Sequence, residues 1–209
     1  MLELVKAGGW LMIPIIACSI IATAIVIERF WSLQKRRIIP DPQIVSQIWK
    51  WVQDNQLTAE RIRELRDSSP LGRVLAAGLL NANQSRELIK DSIVDTGRHV
   101  AHELERYLNT LGTIAMISPL LGLLGTVIGM IKVFSVITAV GVGDPSQLAD
   151  GISQALITTA AGLTVAIPSL IFHRYFRGKV EALVVDMEQE ALKLVDVLES
   201  QKKAGRKRK

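Results

Sequence analysis

Residues 108–134 read LNTLGTIAMISPLLGLLGTVIGMIKVF, and the fold follows from this stretch. It carries no charge from Leu108 to Ile131, about 24 residues, enough to cross a hydrocarbon core of roughly 30 Å as a helix. A bare lipid anchor is mostly Leu, Ile and Val, whereas this span places Ser118, Gly122, Gly125 and Gly129 at offsets of 4, 3 and 4. Those offsets stack small residues on one helix face. Gly125 and Gly129 also form a GxxxG pair, which admits the close approach of a second helix. Thr126 sits beside the stripe, and Pro119 interrupts the hydrogen-bond ladder near the middle of the span.

The chain of 209 residues is 49% hydrophobic, and its apolar residues gather in three blocks. That distribution indicates a membrane protein. The net charge of +5 comes from segments of mixed sign plus a basic end, without the basic–aromatic interleaving of a nucleic-acid groove. Cys18 is the single cysteine, so no intramolecular disulfide and no multi-thiolate metal site is expected. His99 and His102 are an isolated pair, and His173 stands alone. No metal, cofactor or catalytic residue is expected: the spans hold no paired carboxylates, and the chain has no His/Cys cluster and no phosphate-cradling loop.

Around the deciding stretch the reading is all-α. Residues 1–7 are a short lead, and 8–27 form the first transmembrane helix, bracketed by Trp10 and Trp31. This block runs straight into Glu28-Arg29 with no small-residue cleavage site, so it reads as a span rather than a signal peptide. Residues 28–107 form a polar helical region. Asp41-Pro42 opens a helix bearing Ile44, Ile48 and Val52, and Ser69-Pro70 opens another bearing Val74, Leu75 and Leu79. From Ser85 the residues Ile89, Ile93, Thr96, Val100, Leu104 and Tyr107 keep helical spacing, which predicts one continuous helix running into the second span at 108–134. Residues 135–150 are a turn, 151–172 the third span, 173–200 a helix with a near-heptad seam, and 201–209 a basic tail. Two readings stand for that tail: solvated and disordered, or in contact with anionic lipid headgroups.

Arg29, Lys35, Arg36 and Arg37 follow the first span, and His173, Arg174, Arg177 and Lys179 follow the third. The positive-inside rule therefore puts the N-terminus outside and the C-terminus in the cytoplasm.

The third span, GISQALITTAAGLTVAIPSLIF, is unusually polar. Gln154, Thr158, Ala161 and Val165 share one stripe; Thr159, Gly162, Ala166 and Ser169 share its neighbour, and Pro168 kinks the lower half. With Thr126, these groups could line an ion route. The competing reading is that the hydroxyls bond back to their own helix and the small residues only pack. No ionisable group lies deep in any span, so a conducted proton would need a carboxylate from a partner.

Residues 104–134 and the third span together resemble the two signatures of the MotA/TolQ/ExbB proton-channel family, and the three-span layout resembles its TolQ/ExbB branch. The resemblance implies a homopentamer around a central pore holding two ExbD/TolR-like subunits, in the bacterial inner membrane. It implies that the partner's membrane aspartate carries the proton and that the flow drives a TonB- or TolA-like client. By position, the family's pore-facing threonines correspond to Thr126 and Thr159, with Thr158 and Gln154 beside them. Many relatives carry glutamate where this chain has Gln154, a neutral amide that cannot titrate. A non-conducting membrane scaffold is the alternative. In either case the small residues Ser118, Gly122, Gly125, Gly129 and Gly162, with Pro119 and Pro168, serve helix packing and kinks.

Overall fold

A computed structural model of the chain describes residues 7–39, 50–51, 58–141 and 145–207. The expected lead before residue 7, the helix opened by Asp41-Pro42 and the turn at Gly143-Asp144 lie outside the described residues, as do the last two residues of the basic tail. All regular structure among the described residues is helical. The order is α1 (Met12–Ser32), α2 (Lys35–Ile38), α3 (Ala59–Ser68), α4 (Pro70–Leu80), α5 (Arg86–Leu104), α6 (Leu108–Val140) and α7 (Pro145–Lys207). Three helices are long and apolar enough to cross a membrane: α1, α6 over Leu108–Thr138, and α7 within Leu148–Ser200. The chain divides into two compact units.

The first unit comprises Met1–Arg29 and Tyr107–Phe176. Its α1 portion buries Met12, Ile15, Ala22, Ile25 and Arg29, a single stripe at helical spacing, and leaves Ile13, Ile20 and Ile27 exposed. The exposed faces are apolar, which suits lipid or further protein and not water.

The second unit comprises Phe30–Arg106 and Arg177–Lys209. Its centre is α4. Ser69 caps this helix by accepting from the Gly72 amide at 2.9 Å, with Pro70 in the first turn, as the Ser-Pro pair predicts. Leu71, Val74, Leu75, Ala76 and Leu79 are all buried, so α4 is apolar on nearly every side. A Cβ added at Gly78 would lie 2.9 Å from Ile93 and 3.1 Å from Leu194, so α4 packs tightly against both α5 and the last part of α7. The seam on α7 is buried at Val180, Leu183, Met187, Ala191, Leu194 and Leu198. Ion pairs ring this core: Arg73 with Glu103, Arg86 with Asp196 and Glu199, and Lys35 with Asp186.

Two expectations need revision. The helix from Ser85 does not run unbroken into the second span. It ends at Leu104, and Tyr107 adopts the left-handed region (φ 63°) before α6 begins at Leu108. Gly97, a poor helix former, stays inside α5. The Arg29 guanidinium stacks over the Tyr107 ring at 5.6 Å, a contact at this break that sequence spacing cannot reveal. Also, α7 begins at Pro145, suited to a first helical position, and its backbone stays helical through Lys207. Most residues from 201 onward are good helix formers, and cations complement a helix C-terminus.

Candidate functional site

The site is built where α6 meets the first part of α7. The small-residue stripe on α6 lies directly against this stretch of α7. A Cβ at Gly122 would come within 3.0 Å of the Thr159 Cα, and one at Gly125 within 2.1 Å of the Thr158 hydroxyl. A Cβ at Gly129 would meet Ala155 and the Gly151 carbonyl, each at 2.8 Å. From the other side, a Cβ at Gly162 would meet the Ser118 carbonyl at 2.5 Å. The glycines therefore let the two backbones approach more closely than any side chain allows. Ser118 is fully buried, and its hydroxyl has no partner among the described residues. Pro119 and Pro168 sit within the continuous helices α6 and α7, each removing one backbone donor.

The four polar residues singled out by the sequence behave differently from one another. Thr126 is half-buried and donates to its own helix, to the Leu123 carbonyl at 2.7 Å. Thr158 is buried against Gly125 and donates to the carbonyls of Gln154 and Ala155 at 3.0 and 2.9 Å. Thr159 is half-buried and reaches across to α6, donating to the Gly122 carbonyl at 3.0 Å. Gln154 is held from two sides. Its Oε1 accepts from the Lys132 Nζ at 2.9 Å, and its amide nitrogen lies where a Cβ on Gly9 would be, at 1.9 Å. Gly9 has φ +72°, so both its conformation and the close amide require glycine.

The arrangement thus has a central layer of hydroxyls and, towards the Lys132 end, a clasp of three segments: Gly9 before α1, Lys132 on α6 and Gln154 on α7. Lys132 is the residue of this clasp that sequence reasoning misses. Its link to Gln154 depends on packing between residues 22 apart, for which the sequence gives no signal. At the other end the His173 ring lies on Gly112, whose Cβ would sit 2.9 Å from Nε2. Among the described residues no group of three or more His, Cys, Asp or Glu side chains is arranged to hold a metal ion.

The model of the MotA/TolQ/ExbB proton channel family matches residues 66–189, more than half of the chain. An ExbB-like biopolymer transport protein of Synechocystis is 36% identical over 172 residues, covering 80% of this chain and 66% of the relative. An ExbB homologue of Methanothermobacter thermautotrophicus is 31% identical over 182 residues, covering 86% and 64%. The chain spans just under two thirds of the length of both. The Tol-Pal system protein TolQ of Pseudomonas aeruginosa is 39% identical over 82 residues, covering 39% of this chain and 36% of TolQ.

Proposed function

We propose that this chain, which belongs to the MotA/TolQ/ExbB proton channel family, is the ring-forming subunit of an ion-driven motor in the bacterial inner membrane. In this reading five copies, with N-termini periplasmic and C-termini cytoplasmic, surround two ExbD/TolR-like subunits. Proton motive force moves those subunits and, through them, a TonB- or Tol-Pal-like envelope system.

The observation that carries this reading is the hydroxyl layer. Thr159 is pinned to the Gly122 carbonyl, and Thr126 stands one helical turn further along α6 with its proton given to Leu123. A hydroxyl has one donor and two acceptor positions. Because both protons go to backbone carbonyls, what remains at each oxygen is acceptor capacity. Such a wall accepts a hydrogen bond from a protonated carboxyl or from a water, and offers little to a bare carboxylate. A partner aspartate passing it is therefore favoured in its neutral form, and ionises where water is available. Thr158, buried behind them, and Gln154, braced by Lys132, complete the wall. The chain provides the track and the partner the titrating group.

The test is a Thr126→Val, Thr159→Val double variant with its cognate partner. The complex should assemble and lose motive-force-dependent activity; full activity would rule the wall out. A second reading, a non-conducting scaffold, is favoured by one observation: residue 154 is an amide already engaged by Lys132. Ion uptake by the reconstituted complex separates the two.

A further inference from the structure

Beyond the clasp, a recess of about 440 Å³ opens beside Gln154. Its polar lining consists of Lys132, Asp150, Gln154, Ser135 and Ser153. Without the lysine, the side-chain groups facing this space would be a carboxylate, an amide carbonyl and two hydroxyls. That is a set of hard oxygen donors of the kind that replaces the hydration shell of an alkali or alkaline-earth cation. Lys132 changes its character. Its ammonium donates to the Gln154 carbonyl oxygen at 2.9 Å, occupying the amide oxygen a cation would use and setting a positive charge in the same recess as Asp150. The Ser135 hydroxyl gives its proton to the Lys132 carbonyl at 2.7 Å, so its oxygen too would otherwise be free to face a cation.

We propose that Lys132 is a specificity-determining residue that keeps sodium out of the ion path, and that Gln154 positions it. The inference rests on the channel reading above, with the recess as the outer entrance of the path. A proton needs no ligand shell and passes by transfer between waters, hydroxyls and a partner carboxyl. Sodium must exchange hydration water for protein oxygens, and here an ammonium already holds one of them. A glutamate at position 154 would pair with the lysine and cancel its charge; the amide holds the ammonium without neutralising it.

The experiment uses liposomes containing the full complex with its cognate partner. Proton uptake is read with an internal pH dye and sodium uptake with radioactive sodium, in parallel. The wild type should take up protons with sodium at background. Lys132→Gln should raise the sodium-to-proton ratio by about tenfold or more, the scale expected when a unit charge a few ångströms from an ion is removed at intermediate dielectric. Lys132→Arg should keep sodium excluded, and adding Asp150→Asn to Lys132→Gln should take most of the sodium uptake away. Proton uptake with sodium still excluded in Lys132→Gln would overturn the role of Lys132 alone. Sodium entry in Lys132→Arg would also overturn it. A wild-type complex that passes no protons would overturn the channel reading and this inference with it.

Discussion

The Thr159 hydroxyl and the Gly122 carbonyl meet at 3.0 Å, a side-chain hydrogen bond that joins the two helices. Its neighbour Thr158 spends its proton within its own helix, as do Thr126 and Thr164. Side-chain hydrogen bonds between membrane helices are worth about 0.6 kcal/mol on average. Thr159→Val should therefore lower the thermal stability of the purified protein by about 0.5–1.5 kcal/mol, and Thr126→Val should be close to neutral. Equal effects would mean that the inter-span bond contributes nothing of its own.

Glycine replacements should separate sharply by position. A Cβ at Gly125 would lie 2.1 Å from the Thr158 hydroxyl, so Gly125→Ala must push the helices apart and should destabilise by about 1–3 kcal/mol. Gly97 lies inside α5 with nothing within 4 Å of its Cβ position. Gly97→Ala should therefore stabilise by about 0.5–1 kcal/mol through helix propensity. Thermal unfolding in detergent reads both. A stable Gly125→Ala protein would contradict the close packing of α6 on α7.

Tyr107 is the one non-glycine residue with positive φ among those described. A β-branched residue tolerates the left-handed region poorly, so Tyr107→Val should destabilise by about 1–3 kcal/mol, and Tyr107→Asn by less. Both lose the Arg29 stacking equally, so the difference between them isolates the backbone effect. Equal losses would show that the ring contact alone matters.

The Glu103 carboxyl is held below its ordinary range chiefly by hydrogen bonds from Arg73, at 2.6 and 2.9 Å; burial opposes this, and the charges of Arg73, His99 and Arg106 lower it further. A lowered carboxyl stabilises the fold fully above its unfolded value, and that stability disappears as pH falls through the lowered folded value. The pair is substantially exposed, so Glu103→Gln should cost no more than about 1 kcal/mol at neutral pH, less in high salt, and nothing in strong acid. A loss that persists in strong acid would assign the effect to packing.

Much of this architecture is legible in the sequence because it rests on periodicity. The Ser118–Gly129 stripe is read from spacing alone, and the close approach of a second helix follows from it; that this helix is α7 is seen only in the packing. The Ser69-Pro70 cap is equally local. The break at Tyr107 is hidden because tyrosine carries none of the glycine or asparagine signal that marks a left-handed residue. Which threonine crosses between helices is hidden too: Thr158 and Thr159 differ by about 100° around the helix, and only the contact with α6 tells which hydroxyl reaches Gly122. The Lys132–Gln154 clasp is hidden as well: the stripe singles out Gln154, but only packing shows that Lys132 reaches it.

The proposed track for a proton carried by the partner makes ion flow depend on the partner's membrane aspartate. Proton uptake should be measured in liposomes holding the chain with its cognate ExbD/TolR-like partner, with the partner's membrane aspartate intact or changed to asparagine, under an imposed pH gradient and potential. Uptake with aspartate that disappears with asparagine is the predicted result. Uptake that persists with asparagine would place the relay on this chain and contradict the account; no uptake in either case would favour the scaffold.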